Sequence, residues 1–174
     1  DGTVLCLVNT CTVTGKAEQK ARRLLRLLAK EHPHAVILVT GCYAQLEAAE
    51  IEALHPYVLA FPGQQKDLLT AIPEYLAELV RSSAYFDTPF FLSALRTYLT
   101  DLLHNGLTDK TQRYKSVENQ HGDNIRGKQL FALSSPHFLF HSRALLKIQD
   151  GCNEACAYCR IRLARGKSVS LPAS

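Results

Sequence analysis

The chain of 174 residues contains no methionine, and it opens at Asp1. It therefore reads as a segment of a longer gene product, in which local spacings carry more weight than long ones. No apolar run approaches the roughly 20 residues of a membrane-spanning helix, and no hydrophobic leader opens the chain. That predicts a cytoplasmic protein with no membrane partner. Strong charge of either sign is also missing: 20 Lys and Arg against 16 Asp and Glu leave a net +4. The six cysteines fall into separated groups without dense pairing, which excludes a disulfide scaffold and fits a reducing compartment where thiols serve metals. The seven histidines lack metal-ligand spacing and read as solvated. Nearly half of the residues are apolar, enough for one domain with a proper core and part of a second.

The first 80 residues alternate regularly. Thr3 to Asn9 is a short apolar run of the kind a buried parallel strand uses. Thr14 can cap a helix beginning near Lys16, in which Ala17, Ala21, Leu24, Leu25 and Leu28 form the apolar stripe and Pro33 marks the end. Ala35 to Thr40 predicts a second strand, followed by a short helix from about Gln45 to Leu54. Tyr57 to Phe61 predicts a third strand and Lys66 to Val80 a third helix. Parallel strands need crossovers, so this β-α-β-α-β-α order predicts an α/β fold, a parallel sheet with helices on both faces. From Arg81 the regularity stops. Phe91, Leu95, Tyr98, Leu99, Leu102 and Leu103 predict one amphipathic helix, and 105–126 reads as a polar linker without a period. Ala144 to Gln149 looks like the first strand of a second domain. The expected organisation is an N-terminal domain at 1–80, a linker or insertion at 81–143, and the start of another domain at 144–174.

Directly after that last strand comes Asp150-Gly151-Cys152-Asn153-Glu154-Ala155-Cys156-Ala157-Tyr158-Cys159, a C-x3-C-x2-C pattern. Three thiolates on a short loop suit a [4Fe–4S] cube, in which each ligates one iron. The fourth iron is left open for an exchangeable ligand. A structural zinc site normally takes four protein ligands, and the loop holds no fourth Cys or His. A zinc knuckle completed by a distant ligand and a disulfide-bonded loop are the alternatives. Arg160, Arg162, Arg165 and Lys167 crowd the residues that follow, either as a basic rim for a phosphate-rich partner or as a solvated surface run.

Two further cysteines follow strands. Cys11 lies in Asn9-Thr10-Cys11-Thr12-Val13-Thr14 after the first, and Cys42 in Thr40-Gly41-Cys42-Tyr43-Ala44-Gln45 after the second. Both are expected at the carboxyl edge of the sheet, where open α/β sheets place ligands. They could share a metal or simply be buried thiols. Cys6 falls inside a strand and reads as a small apolar residue, and Asn9 as a residue that holds the turn before Cys11.

Taken in order, Asn-Thr-Cys-Thr-Val-Thr, Thr-Gly-Cys-Tyr-Ala-Gln and Ile-Gln-Asp-Gly-Cys-Asn with its C-x3-C-x2-C and Ala164-Arg165-Gly166 resemble the radical S-adenosylmethionine methylthiotransferases. The branch most resembled acts on N6-threonylcarbamoyladenosine at position 37 of transfer RNA. The resemblance implies two [4Fe–4S] clusters and S-adenosyl-L-methionine as cofactors. It implies that Cys152, Cys156 and Cys159 hold the radical cluster, and that Cys11 and Cys42 are two of three ligands of an auxiliary cluster associated with sulfur delivery. The family's first auxiliary cysteine would lie upstream of Asp1. One S-adenosylmethionine would provide the methyl group. A second would be cleaved to an adenosyl radical that removes hydrogen from C2 of the adenine. Tyr158 is implied to contact the cofactor's adenine, and Arg165 and Gly166 to shape the loop or the cofactor pocket. Transfer RNA and an external electron donor such as flavodoxin or ferredoxin are the implied partners. The implied fold is a Rossmann- or flavodoxin-like domain followed by the first strand and cluster loop of a truncated radical barrel, a segment inactive alone. Within the family, isopentenyladenosine-37 transfer RNA and a ribosomal protein aspartate are alternative substrates. Outside it stand an iron–sulfur electron-transfer module and a zinc-stabilised nucleic-acid-binding module.

Overall fold

The computed structural model describes residues 2–82, 87–117 and 148–170, with side chains omitted for 106–117. The chain divides into two compact units, 1–112 and 113–174. In the first, β1 (Leu5–Thr10) pairs in parallel with β2 (Val36–Gly41), and β2 pairs in parallel with β3 (Val58–Ala60). The crossovers are α1 (Gly15–Glu31) and the short helices α2 (Cys42–Leu46) and α3 (Ala48–Glu52). The strand order is β1-β2-β3, and right-handed crossovers running one way along a sheet fall on a single face. On that face Ile37, Val39 and Val58 pack with Ala21, Leu25, Tyr43, Ala44 and Ile51. The alternate residues Val36, Leu38 and Leu59, with Phe61, face the other way. They meet Leu69 of a 3-10 segment (Gly63–Ala71), Ile72 of α4 (Ile72–Ser82), and Phe91, Leu95 and Leu99 of α5 (Thr88–Val117). Central β2 is buried at all six positions, which is why it reads as an unbroken apolar run rather than an alternating one. The chain is therefore α/β, with helices flanking a three-stranded parallel sheet.

Thr14 caps α1 by accepting a hydrogen bond from Ala17 N at 3.2 Å. The helix ends at Glu31, two residues before Pro33. Leu24, expected on its buried stripe, is 42% exposed. The packed line runs Ala21, Leu25, Leu28, and Leu24 is turned about 100° from Leu25.

Two expected helices differ in form. The stretch expected as one helix over 45–54 is instead α2 and α3, separated at Glu47 (φ −129°, ψ 45°), and α2 starts as early as Cys42. The helix expected over 66–80 begins as the 3-10 segment and becomes α-helical only at Ile72. Pro73 explains this: it lacks the N–H that an α-helix running on from Leu69 would need, and it is tolerated in a first turn.

Helix α5 is capped by Asp87, whose Oδ1 accepts from Phe90 N at 2.8 Å. It continues through 105–117, which the sequence pattern assigns to a linker. A polar stretch without a period offers no face to read, yet it can extend a helix already nucleated by packing. The rest of that linker lies outside the described residues, as do 144–147 of the expected strand. Ile148 and Gln149 are not strand, and Asp150 forms an isolated antiparallel bridge to Val169. Among the described residues, no helix is long and apolar enough to cross a membrane.

Phe91 and Leu95 are each 1% exposed or less. Phe91→Ala should cost about 3–5 kcal/mol and Leu95→Ala about 2–5 kcal/mol of unfolding free energy, measured by urea titration. Losses below about 1 kcal/mol would show that α5 does not seal this face of the sheet.

Candidate metal-thiolate sites

Each β2 residue carries the number of its β1 partner plus 31, from Leu5 with Val36 to Thr10 with Gly41. Cys11 and Cys42 obey the same offset, each being the residue immediately beyond the last pair. Their 31-residue separation is thus the ladder's own register. Both residues therefore leave the carboxyl edge of neighbouring strands, Cys11 just after β1 and Cys42 as the first residue of α2. Cys11 is exposed and Cys42 half-buried.

Two glycines make this edge tight. Gly41 has φ 98° and ψ −166°, a region essentially reserved for glycine. A Cβ there would lie 2.5 Å from Asn9 Oδ1 and would collide with Thr10 O. This places the Asn9 side chain over the turn that leads into Cys42. At Gly63 a Cβ would lie 2.5 Å from Gly41 O, so the chain leaving β3 rests directly on the Gly41 backbone. Neither role was visible in the sequence, although a glycine directly after a predicted parallel strand is the available signal.

Three threonines line the same edge. Thr10 Oγ1 donates to Thr40 O at 2.6 Å, and Thr12 Oγ1 bonds Glu18 Oε1. Thr40 Oγ1 is buried without a hydrogen-bond partner among the described residues. Next to Cys42, Tyr43 is fully buried and its hydroxyl accepts from Arg22 Nη1 at 2.9 Å. The same nitrogen reaches Glu50 Oε1 at 2.9 Å, so one arginine of α1 ties down α2 and α3. Burial pushes the Tyr43 phenol above its ordinary pKa, and the Arg22 hydrogen bond offsets this only partly. Cys6 lies five residues before Cys11, about 16 Å along the strand. It packs against the cluster that holds Ile37, Val39 and Tyr43, and burial raises its thiol pKa.

In the second unit, the loop from Cys152 to Cys159 is fastened at its base. Asp150 and Val169 exchange backbone hydrogen bonds of 2.9 and 2.7 Å, and Cys152 N donates to Gly166 O at 3.1 Å. Gly151 has φ 71°, and a Cβ there would lie 2.8 Å from Gly166 O and would collide with Lys167 O. Asp150 Oδ1 accepts from Gly151 N at 3.0 Å and pairs with Arg165 Nη1 at 3.4 Å. Ser168 N donates to Asn153 Oδ1 at 3.0 Å. A short helix, α6 (Ile161–Arg165), leads into Gly166, whose φ is 82°. Arg165 and Gly166 thus sit at the root of the loop, touching Asp150 and Cys152. At its top Cys156 is exposed, and Tyr158 is 91% exposed.

All six cysteines are thiols rather than disulfides. Among the described residues, no three His, Cys, Asp or Glu side chains converge as a ready metal cage. The donor chemistry nevertheless fits thiolate-held iron: three thiols on one anchored loop, and two more directly after adjacent strands, near in sequence to the buried, unpartnered Thr40 hydroxyl. The pair alone is one ligand short of the implied auxiliary set.

Residues 2–63 match the model of a family described as "Uncharacterized protein family UPF0004". The chain is 45% identical over 190 residues to the threonylcarbamoyladenosine tRNA methylthiotransferase MtaB of Treponema pallidum (strain Nichols), covering 97% of the chain and 39% of that protein. It is 28% identical over 160 residues to the Bacillus subtilis (strain 168) protein of the same name, covering 92% and 28%. It is 30% identical over 172 residues to the tRNA-2-methylthio-N(6)-dimethylallyladenosine synthase of Desulfotalea psychrophila (strain LSv54 / DSM 12343), covering 97% and 31%. The chain thus spans well under half the length of these relatives. No solved structure matches it significantly.

Gly41→Ala should destabilise the protein by more than about 2 kcal/mol in urea, because it adds a collision to a glycine-only conformation. Tyr43 supports a pH test. Its phenol pKa is raised in the folded state, so the folded protein holds that proton after the unfolded chain has lost it. The associated stability is complete below about pH 10 and is lost as pH rises through the folded value. Tyr43→Phe should flatten the fall in melting temperature above about pH 10, and an unchanged alkaline slope would rule out this contribution.

Proposed function

We propose that this chain, whose residues 2–63 belong to the UPF0004 family and which is homologous to methylthiotransferases over 97% of its length, is part of an enzyme that methylthiolates C2 of N6-threonylcarbamoyladenosine at position 37 of transfer RNA. The observation that supports the reading is that Cys11 and Cys42 each directly follow the last registered pair of adjacent parallel strands, in a chain that also bears a separate three-thiol loop. Two thiol groups of different design suit two iron–sulfur sites with different tasks. The choice of branch is supported by the 45% identity to a threonylcarbamoyladenosine enzyme, against 30% for a dimethylallyladenosine enzyme.

The roles of this chain's residues follow from their placement. Cys152, Cys156 and Cys159 would hold three irons of one [4Fe–4S] cluster, and Cys11 and Cys42 would contribute to a second. When bound, these groups supply the electron that cleaves S-adenosyl-L-methionine and the sulfur that is inserted. The Asp150–Arg165 pair and the Cys152–Gly166 hydrogen bond fix the entry and exit of the loop. That base lets the three thiols close on a cluster without dragging the chain ends. Exposed Tyr158 is free to lie over the cofactor's adenine, and the arginines around it suit a phosphate-rich partner.

In this reading 1–80 is a Rossmann- or flavodoxin-like domain, 81–143 a linker or insertion, and 144–174 the beginning of a radical barrel. Transfer RNA and a flavodoxin or ferredoxin donor are the partners of the whole cytoplasmic enzyme.

Transfer RNA from cells lacking the gene should lose 2-methylthio-N6-threonylcarbamoyladenosine and retain its unthiolated form by nucleoside mass spectrometry. Loss of the isopentenyl counterpart instead, or of methylthio-aspartate from a ribosomal protein, would reassign the substrate. In the full-length enzyme, Cys156→Ala should reduce 5′-deoxyadenosine formation to background. Cys11→Ala should keep that activity and abolish methylthio product; normal product formation would make Cys11 merely structural.

A further inference from the structure

Thr40 is 4% exposed, and its Oγ1 has no hydrogen-bond partner among the described residues. Leaving a buried hydroxyl unsatisfied is costly, whereas valine has the same shape and no such cost. The surrounding threonines are engaged: Thr10 Oγ1 bonds the Thr40 carbonyl at 2.6 Å, and Thr12 Oγ1 bonds Glu18. Position is the second part of the argument. Strand alternation sets Thr40 on the side of β2 shared by Val36 and Leu38, and the ladder sets it opposite Asn9. Cys42 lies two residues beyond Thr40, and Cys11 two beyond Asn9. Thr40 is therefore the buried polar residue at the end of β2, two positions before Cys42.

We propose that the Thr40 hydroxyl donates a hydrogen bond to a sulfur of the group held by Cys11 and Cys42, making Thr40 a positioning residue of that site. The inference rests on the iron–sulfur reading of the pair. Thiolate and sulfide sulfurs carry negative charge, and hydrogen bonds to them help to hold such clusters and set their potentials. The bond from Thr10 to the Thr40 carbonyl fixes the peptide from which the hydroxyl projects.

The test uses the full-length protein carrying Cys152→Ala, Cys156→Ala and Cys159→Ala, so that one iron site remains. Thr40→Val and Thr40→Ser are then compared with this parent. Before iron and sulfide are added, Thr40→Val should melt at the parent temperature or a few degrees higher, since it deletes an unpartnered hydroxyl. After anaerobic reconstitution it should lose iron to a chelator roughly tenfold faster, as expected for one hydrogen bond to a charged acceptor. Thr40→Ser should keep the parent rate. A lower melting temperature for iron-free Thr40→Val would mean that the hydroxyl already has a protein partner, which overturns the proposal. Equal iron loss in the two proteins would also overturn it, while leaving the iron–sulfur assignment intact. A parent that takes up no iron would remove both.

Discussion

The parallel pairing of β1 with β2 is the constraint from which the first candidate site follows. A crossover must return the chain from the carboxyl edge of the sheet to its amino edge before a parallel neighbour can form. Helix α1, at 17 residues, covers about 25 Å, enough to retrace a six-residue strand of about 20 Å. Once the ladder closes, the residues just beyond each strand become lateral neighbours whatever their separation in sequence. Cys11 and Cys42 directly follow such a ladder, one after each strand. Cys6, inside β1, lies five residues before Cys11 and packs into the cluster around Ile37 and Val39.

What keeps that edge in shape is a set of close backbone contacts. Gly41 turns the chain in a conformation closed to other residues, Gly63 rests on it, and Asn9 lies over it. Arg22, reaching both Tyr43 and Glu50, links the crossover helices on one face. On the other, Phe61, Phe91 and Leu95 close the core. Cys42 thus directly follows the fully buried central strand, and Cys11 follows its neighbour β1. The three-thiol loop follows a different plan. Its ends are bound to each other through Asp150, Cys152, Gly166 and Val169, and its top projects into solvent. The pair is placed by the sheet, whereas the trio depends on a local clasp.

Much of this was legible in the chain. Thr14, Pro33 and the apolar runs give the first helix and the strands within a residue or two, because caps, breakers and buried parallel strands leave strong local marks. Pro73 is equally plain once its effect on the turn before it is considered. Periodicity does not reveal the break at Glu47, which has no breaker residue, or the extension of α5 through 105–117. Among the site residues, the trio is apparent from its spacing alone, since all three ligands lie on one loop. The matching positions of Cys11 and Cys42 after their strands are a long-range property, and a spacing of 31 residues has no meaning until the offset of the ladder is known.

The sequence by itself determined the α/β alternation, the three-thiol loop and the type of donor at each site, because each is encoded within a few neighbouring residues. Tertiary structure decided which distant residues share an edge. It brought the chain just before Cys11 and Cys42 into one ladder, held Cys6 five residues back in β1, clasped Arg165 to Asp150 and left the Thr40 hydroxyl buried without a partner among the described residues. Those outcomes depend on strand register and on which side of a pleat a residue occupies. Both are fixed only when the whole sheet has packed, since a slip of one residue would turn every side chain to the other face.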